Sequence, residues 1–212
     1  MPGVFVSFEG VDGSGKTTQL ELLAERLRAQ GRDVVTTREP GGTALGQAVR
    51  SWVLEAQAEP LAPRAELALL FAARAQHLQQ VIEPARARGA IVLCDRFTDA
   101  TEAYQGAGRG LGAELVRELD RLICGGARPE LTLILDLDPE TALARAQTRL
   151  RRAASGENRF EAEGAAFLRR VAEAYRAIAR REPERCALIA ASGAIEAVRE
   201  RVWRAAAARL GW

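Results

Sequence analysis

Short apolar runs rich in Val, Ile and Leu recur along the chain between longer Ala-, Leu- and Arg-rich segments, and each run closes on a glycine, a proline or an acidic residue. Five of them read as strands: Val4–Glu9, Asp33–Thr37, Ala90–Cys94, Leu131–Leu137 and Cys186–Ala190. They are nearly continuous in apolar residues rather than alternating, which predicts a parallel sheet covered by helices on both faces. Helices are expected over Lys16–Ala29, Ala44–Glu55, Arg64–Arg88, Thr98–Gln105, Ala113–Cys124, Pro139–Thr148, Glu163–Arg181 and Ala194–Leu210. Gly31, Gly89 and Gly125 stand at stop positions after three of these. The alternation of strand and helix predicts an α/β fold of three layers. Within Arg64–Arg88, the residues Leu67, Leu70, Phe71, His77, Leu78 and Val81 do not share one narrow stripe. That helix is therefore expected to be buried on two sides, for instance by the sheet and by a second subunit.

Length and composition narrow the chemistry. A chain of 212 residues buries about 70% of its unfolded surface, enough for one core, so a single domain over 1–212 is expected. With net charge +2, 27% charged and 48% hydrophobic residues, it is neither a disordered chain nor a basic nucleic-acid-binding body. Cys94, Cys124 and Cys186 are scattered and odd in number, which argues against a disulfide framework or zinc site and points to a reducing, cytoplasmic compartment. The opening run passes into a strand without a charged leader, and nowhere do about 18 apolar residues run uninterrupted, so neither a signal peptide nor a membrane span is expected. A lone histidine, His77, makes histidine triads and multi-histidine metal sites hard to assemble. It is read as a packing residue. Of the 30 basic Lys and Arg residues, Lys16 is the single lysine.

That lysine lies in Gly10-Val11-Asp12-Gly13-Ser14-Gly15-Lys16-Thr17, which fits G-x-x-x-x-G-K-[ST] between an expected strand and an expected helix. Glycines there let successive backbone N–H groups curl into a cradle for phosphates, to which the helix adds its positive N-terminus. Lys16 would reach the β- and γ-phosphates, and the Thr17 hydroxyl would ligate Mg²⁺. The loop specifies NTP binding, not a reaction. Ras-type GTPases need an Asn-Lys-x-Asp motif that a chain with Lys16 as its only lysine cannot contain. Asp95-Arg96 at a strand end suits phosphoryl transfer, with the aspartate on magnesium and the arginine on phosphate oxygens.

With these pieces placed, the sequence resembles the thymidylate kinases. The matching stretches are Phe8 to Gln19, Thr37-Arg38-Glu39-Pro40-Gly41-Gly42-Thr43, Leu70 to His77, Asp95-Arg96-Phe97 and Ala103-Tyr104-Gln105-Gly106-Ala107-Gly108-Arg109. The resemblance implies a P-loop NTPase-type fold with a five-stranded parallel sheet, a small basic lid over about 148–160, and transfer of the γ-phosphoryl of ATP to dTMP. It implies ATP contacts by Gly10, Asp12, Gly13, Ser14, Gly15, Lys16, Thr17 and Thr18, and Mg²⁺ held by Thr17 and Asp95. Asp12 would accept from the 3′-hydroxyl of dTMP, and Arg38, with Glu39 beside it, would bind the acceptor phosphate. Phe71 would stack on thymine while Arg74 bonds its O4, with Thr101 close to the base N3 edge, Gln105 near the base and Tyr104 excluding a 2′-hydroxyl. Arg96 would join donor and acceptor phosphates.

Bacterial-type members place catalytic arginines in the lid, where the eukaryotic type has a basic residue in the loop. This chain has Gly13 there and Arg149, Arg151, Arg152 and Arg159 in its basic segment. Arg149 is matched to a position over the adenine and Arg159 to one on the phosphates. Family members are homodimers, and the same is expected here. A kinase of another small acceptor and a non-catalytic NTP-binding protein stay open, although the acceptor-side arginines favour an acceptor that already bears phosphate.

Overall fold

The structure, a computed structural model, describes residues 3–55, 60–153 and 163–212. Strands β1 (Phe5–Glu9), β2 (Val34–Arg38), β3 (Ile91–Asp95), β4 (Leu131–Asp136) and β5 (Cys186–Ala190) form one sheet in the order β2-β3-β1-β4-β5. Every pairing is parallel. The expected strands are all present, with ends displaced by no more than one residue. β1 is buried at every position, whereas the edge strands β2 and β5 carry exposed or half-exposed residues, so two-sided cover is complete only at the centre.

The helices are α1 (Lys16–Ala29), α2 (Ala44–Leu54), α3 (Pro63–His77), α4 (Glu83–Ala87), α5 (Thr98–Thr101), α6 (Ala113–Cys124), α7 (Pro139–Ala153), α8 (Gly164–Arg181) and α9 (Ile195–Leu210). Successive β1 residues face opposite layers. Val6 and Phe8 pack with Leu20, Leu23 and Leu27 of α1 and Val198 and Val202 of α9. Phe5 packs with Val92, Leu78, Ile82 and Ala85 on the other side.

Three expected helices come out differently. The stretch expected as Arg64–Arg88 is α3, a π-helical segment Leu78–Ile82, and α4. Pro84 explains the wider turn, because it has no N–H to give and its ring crowds the carbonyl four residues back. Within the chain, α3 packs against α2 and α6. The stretch expected as Thr98–Gln105 is the single turn α5 followed by a π-helical segment Glu102–Gly108. Finally, α7 runs past Thr148 to Ala153, so the first part of the segment read as a lid continues a helix. Arg159 and the rest of that segment to 160 lie outside the described residues, as do the side-chain surroundings of Arg149, Arg151 and Arg152.

Because β1 is flanked by β3 on one side and β4 on the other, chain connections leave it in opposite directions, which opens a crevice beyond its carboxyl end. Glu9, Asp95, Arg38 and the loop 10–15 all emerge there.

Candidate active site

The loop after β1 is shaped by its glycines. Gly13 has φ +85°, and a Cβ on it would lie 2.1 Å from the Ala142 carbonyl oxygen, so the loop and α7 touch backbone to backbone. No side chain fits at position 13 in this arrangement. Gly15 has φ +94° with open space around its absent Cβ. It sits at the N-cap of α1, whose first turn has neither a side-chain cap nor an acidic residue, so its N–H groups are left to an anion. The Ser14 hydroxyl is buried without a hydrogen-bond partner in the same loop.

Lys16 is 6% exposed and folds across the loop, donating to the Val11 carbonyl at 3.0 Å and lying 4.0 Å from Asp12. Burial and the nearby Arg96 charge push its ammonium down to about 8, against the pull of Asp12, Asp95 and Glu9. An arriving polyphosphate supplies the counter-charge this ammonium lacks.

Arg96 is the hub of the site. It stands immediately after β3 at φ +75°, a left-handed conformation that a long side chain adopts only where the surroundings enforce it. Its Nη2 donates to Asp12 at 2.8 Å and to the Tyr104 hydroxyl at 3.0 Å, and its Nη1 donates to the Tyr175 hydroxyl at 3.1 Å. The guanidinium also lies 4.7 Å over the Tyr104 ring. Tyr104 in turn donates to Asp12 at 2.9 Å. Burial would raise the Asp12 carboxyl, but Arg96 and Lys16 outweigh it and hold Asp12 well below the usual carboxylate range.

Glu9 fixes this hub from beneath. One carboxyl oxygen accepts from the Phe97 N–H at 2.7 Å and the other from Tyr175 at 2.8 Å, so Glu9 holds both the backbone after Arg96 and the hydroxyl that receives its guanidinium. Complete burial, reinforced by Asp99, pushes Glu9 up from 4.5 to about 8. The folded chain therefore holds a proton here that the unfolded chain releases, and stability falls as pH rises from 4.5 to about 8. Melting temperatures should decline across that window, and Glu9→Gln, which cannot ionise, should flatten the decline. An unchanged slope in Glu9→Gln would place the proton elsewhere.

Beyond Arg96 a cleft opens between α2, α3 and the π-helical segment Glu102–Gly108. Arg74 lies in its wall, buried, donating from Nε to Glu39 at 2.6 Å and from Nη2 to Thr101 at 2.9 Å, with its Nη1 unpaired. Glu39 also accepts from His77 Nδ1 at 2.9 Å. A carboxylate only accepts, so the ring proton is on Nδ1, and Nε2 faces the Thr37 hydroxyl at 2.7 Å. His77 is thus buried, as expected, and it braces the Glu39–Arg74 pair as well as packing. Asp12, Glu39, Thr101, Tyr104 and Gln105 all line this cleft.

Two residues expected at the acceptor, Phe71 and Arg38, do not line this cleft. Phe71 is 0% exposed, packs with Leu67 and Val116, and does not line the cleft; Leu70, on the same turn as Arg74, does. Leu70 and Arg74 are spaced i, i+4 and project together, while Phe71 is turned toward α6. The Arg74 guanidinium lies 5.1 Å over its ring and 5.3 Å over that of Phe97. Arg38, expected on the acceptor phosphate, is exposed in a neighbouring cleft with Thr17, Thr37, Gln47 and Asp95. It pairs across the sheet with Asp95, and the chain turns at Glu39-Pro40 so that Glu39 enters the first cleft. Arg50, which the sequence reading passed over, lines the first cleft and donates to the Pro40 carbonyl at 3.2 Å. It carries no motif spacing that would have revealed it.

The oxygens a divalent cation could use lie beside the phosphate loop. The Thr17 hydroxyl donates to Asp95 at 2.5 Å, putting one hydroxyl and one carboxylate at the mouth of the loop. Among the described residues no group of three or more His, Cys, Asp or Glu side chains could hold a metal alone. One or two protein oxygens completed by phosphates and water is how Mg²⁺ is commonly bound.

A family model described as thymidylate kinase matches residues 8–202. The chain is 54% identical over 198 residues to a thymidylate kinase of Pseudomonas putida strain GB-1, covering 93% of this chain and 92% of that one. It is 47% identical over 209 residues to a thymidylate kinase of Caulobacter vibrioides, covering 99% and 98%. A crystal structure of thymidylate kinase from Ehrlichia chaffeensis superposes with a TM-score of 0.75 at 35% identity, covering 97% of this chain and 99% of that one.

Proposed function

From the premise that this chain belongs to the thymidylate kinase family, phosphotransferases that use ATP to convert dTMP to dTDP, we propose how its own residues carry out that transfer. The observation that carries the reading is that Arg96 belongs to both halves of the site. Through Asp12 it touches the phosphate loop, and through Tyr104 it lines the cleft.

ATP phosphates lie on the backbone of Gly10, Gly13, Ser14, Gly15, Lys16, Thr17 and Thr18, with the Lys16 ammonium on the β- and γ-oxygens. The nucleotide acceptor occupies the cleft, its base toward Arg74, Thr101 and Gln105, its sugar against Tyr104 and Asp12, and its phosphate toward Arg96 and, from the adjoining cleft, Arg38. Thr17 and Asp95 would hold Mg²⁺, which when bound would neutralise charge on the transferring phosphates. The acceptor oxygen belongs to a phosphate that is largely a dianion at neutral pH, so no side chain needs to remove a proton. Catalysis is alignment plus charge neutralisation by Arg96, Lys16 and the lid arginines Arg149 and Arg159.

A coupled assay with Mg·ATP and a panel of monophosphates tests the reading. dTMP should be turned over far faster than dCMP or AMP, and equal rates would sink the assignment. Because Lys16 in the free enzyme loses its proton near pH 8, kcat/KM for ATP should fall above that pH, while kcat at saturating ATP holds to higher pH. A coincident fall in both would mean that bound phosphates do not contact Lys16. Arg159→Ala should lower kcat more than it weakens dTMP binding; equal losses would move that arginine to the acceptor pocket.

A homodimer is part of the proposal. Leu45 and Trp52 of α2, and Leu122 and Ile123 of α6, expose large apolar surface of the kind subunit contacts cover. Sedimentation at micromolar concentration tests it, and a monomer overturns it. No described helix is long and apolar enough to cross a membrane. Cys94, Cys124 and Cys186 are free thiols, which supports a reducing cytoplasmic setting.

A further inference from the structure

Glu66 in the first turn of α3 is 0% exposed and lies away from the phosphate loop in the chain. A fully buried carboxylate is costly unless its oxygens are used. Here one oxygen accepts from the Gln105 Nε2 at 2.7 Å, and the pair lies 3.5 Å from Nε and Nη2 of Arg109. Arg109 is itself held by Glu163 and packs over the Phe167 ring at 5.4 Å.

The consequence falls on Gln105. A glutamine amide has a donating and an accepting end of nearly equal shape, and only its partners decide which faces where. Beside Glu66 the choice is forced, because the flipped amide would set two acceptor oxygens against each other at 2.7 Å in a dry site. The amide nitrogen is therefore committed to Glu66, and Gln105, a cleft-lining residue, keeps its Oε1 for a ligand. Among the described residues nothing donates to that oxygen. On the same wall Arg74 has committed Nε to Glu39 and Nη2 to Thr101, leaving the buried Nη1 as a donor without a partner. This part of the wall thus sets a fixed donor, Arg74 Nη1, near a fixed acceptor, Gln105 Oε1.

Thymine presents O4, an acceptor, beside N3–H, a donor. Cytosine presents the reverse at both atoms, an exocyclic amine beside an unprotonated N3. We propose that Glu66 is a positioning residue for base selection, which by holding the Gln105 amide nitrogen fixes its carbonyl oxygen as the acceptor of a pyrimidine imide N–H. This rests on the cleft being the dTMP site. Its energetic logic is that a buried polar group of fixed polarity rejects a ligand of the opposite pattern far more strongly than shape alone does.

The test compares dTMP and dCMP on wild type, Glu66→Gln, Gln105→Met and the double variant. Wild type must turn over dTMP, and failure there removes the functional reading itself, separately from this inference. In Glu66→Gln, whose amide can donate as well as accept, the Gln105 amide is free to turn. KM for dTMP should rise about tenfold, kcat at saturating dTMP should stay within about threefold, and the dTMP:dCMP ratio of kcat/KM should fall at least about tenfold. The double variant should discriminate no worse than Gln105→Met alone, since Glu66 acts through Gln105. A Glu66→Gln protein that melts lower yet keeps the wild-type ratio, or a double variant whose losses add, overturns the proposal. If Glu66→Gln does not fold, wild-type affinity for dTMP methylated on N3 decides. That analogue has no proton to give Oε1, so binding within about threefold of dTMP overturns the proposal, and a loss beyond about thirtyfold supports it.

Discussion

Lys16→Arg should reduce kcat at least about a hundredfold while leaving the melting temperature within about 3 °C of wild type. The charge is conserved, so any loss must come from shape. Lys16 stands at 6% exposure with its Nζ 3.0 Å from the Val11 carbonyl inside a loop whose glycine backbone leaves room for a narrow stem. A guanidinium is wide and planar, and it must place its nitrogens where the Arg96 guanidinium already lies close enough to depress the Lys16 ammonium. The fork would be driven outward, away from the position between β- and γ-phosphates. The composition lends weight to this: a chain that uses arginine 29 times (30 Lys and Arg less Lys16) keeps a lysine at this position. Steady-state kinetics beside a thermal melt are sufficient. Activity within about threefold of wild type would mean that the cradle does not grip phosphate through this side chain.

The fold was legible because its signals are local. Continuous apolar strands, stop glycines and the loop motif each reside in a few adjacent residues, and all five strands fall within one residue of their expected ends. What the sequence hid depends on distant partners or on sub-turn geometry. Phe71 and Leu70 stand three and four residues before Arg74, and both angles lie close enough to its face that either could line a cleft. Contact with Val116 of α6 decides it. His77 looked like packing because Glu39 and Thr37, its partners, lie 38 and 40 residues away. The π-helical segment that carries Tyr104 and Gln105 was invisible for a related reason. Its turn is set by how Tyr104 meets Asp12 and Gln105 meets Glu66, not by propensity. Arg38 was assigned by motif alone, and the motif could not show that the strand pairing with Asp95 leaves Arg38 in the neighbouring cleft.

Arg96 allows backbone and side chain to be separated experimentally. Arg96→Lys should lower kcat/KM for dTMP by about a thousandfold, because one ammonium cannot reach Asp12, Tyr104 and Tyr175 together. With the fork gone, Asp12 is held less firmly from position 96 and draws more on Lys16, 4.0 Å away, an attraction that competes with the phosphates for the ammonium. KM for ATP should therefore rise alongside the loss in kcat. The φ of +75° adds a second, independent expectation. Arg96→Ala and Arg96→Gly both remove the guanidinium, yet only glycine adopts that conformation without cost, so the glycine variant should be more stable by about 1 kcal/mol. Denaturant melts of the two inactive variants measure this difference directly. Equal midpoints would mean that the backbone relaxes once the side chain is gone, and that the Asp12–Tyr104–Tyr175 contacts, not the Glu9 clamp on Phe97, impose the strained turn. A glycine variant that is more stable would show the strain to be built in by Glu9. The cost of holding a guanidinium between two phosphates then falls on the folded state before either nucleotide arrives.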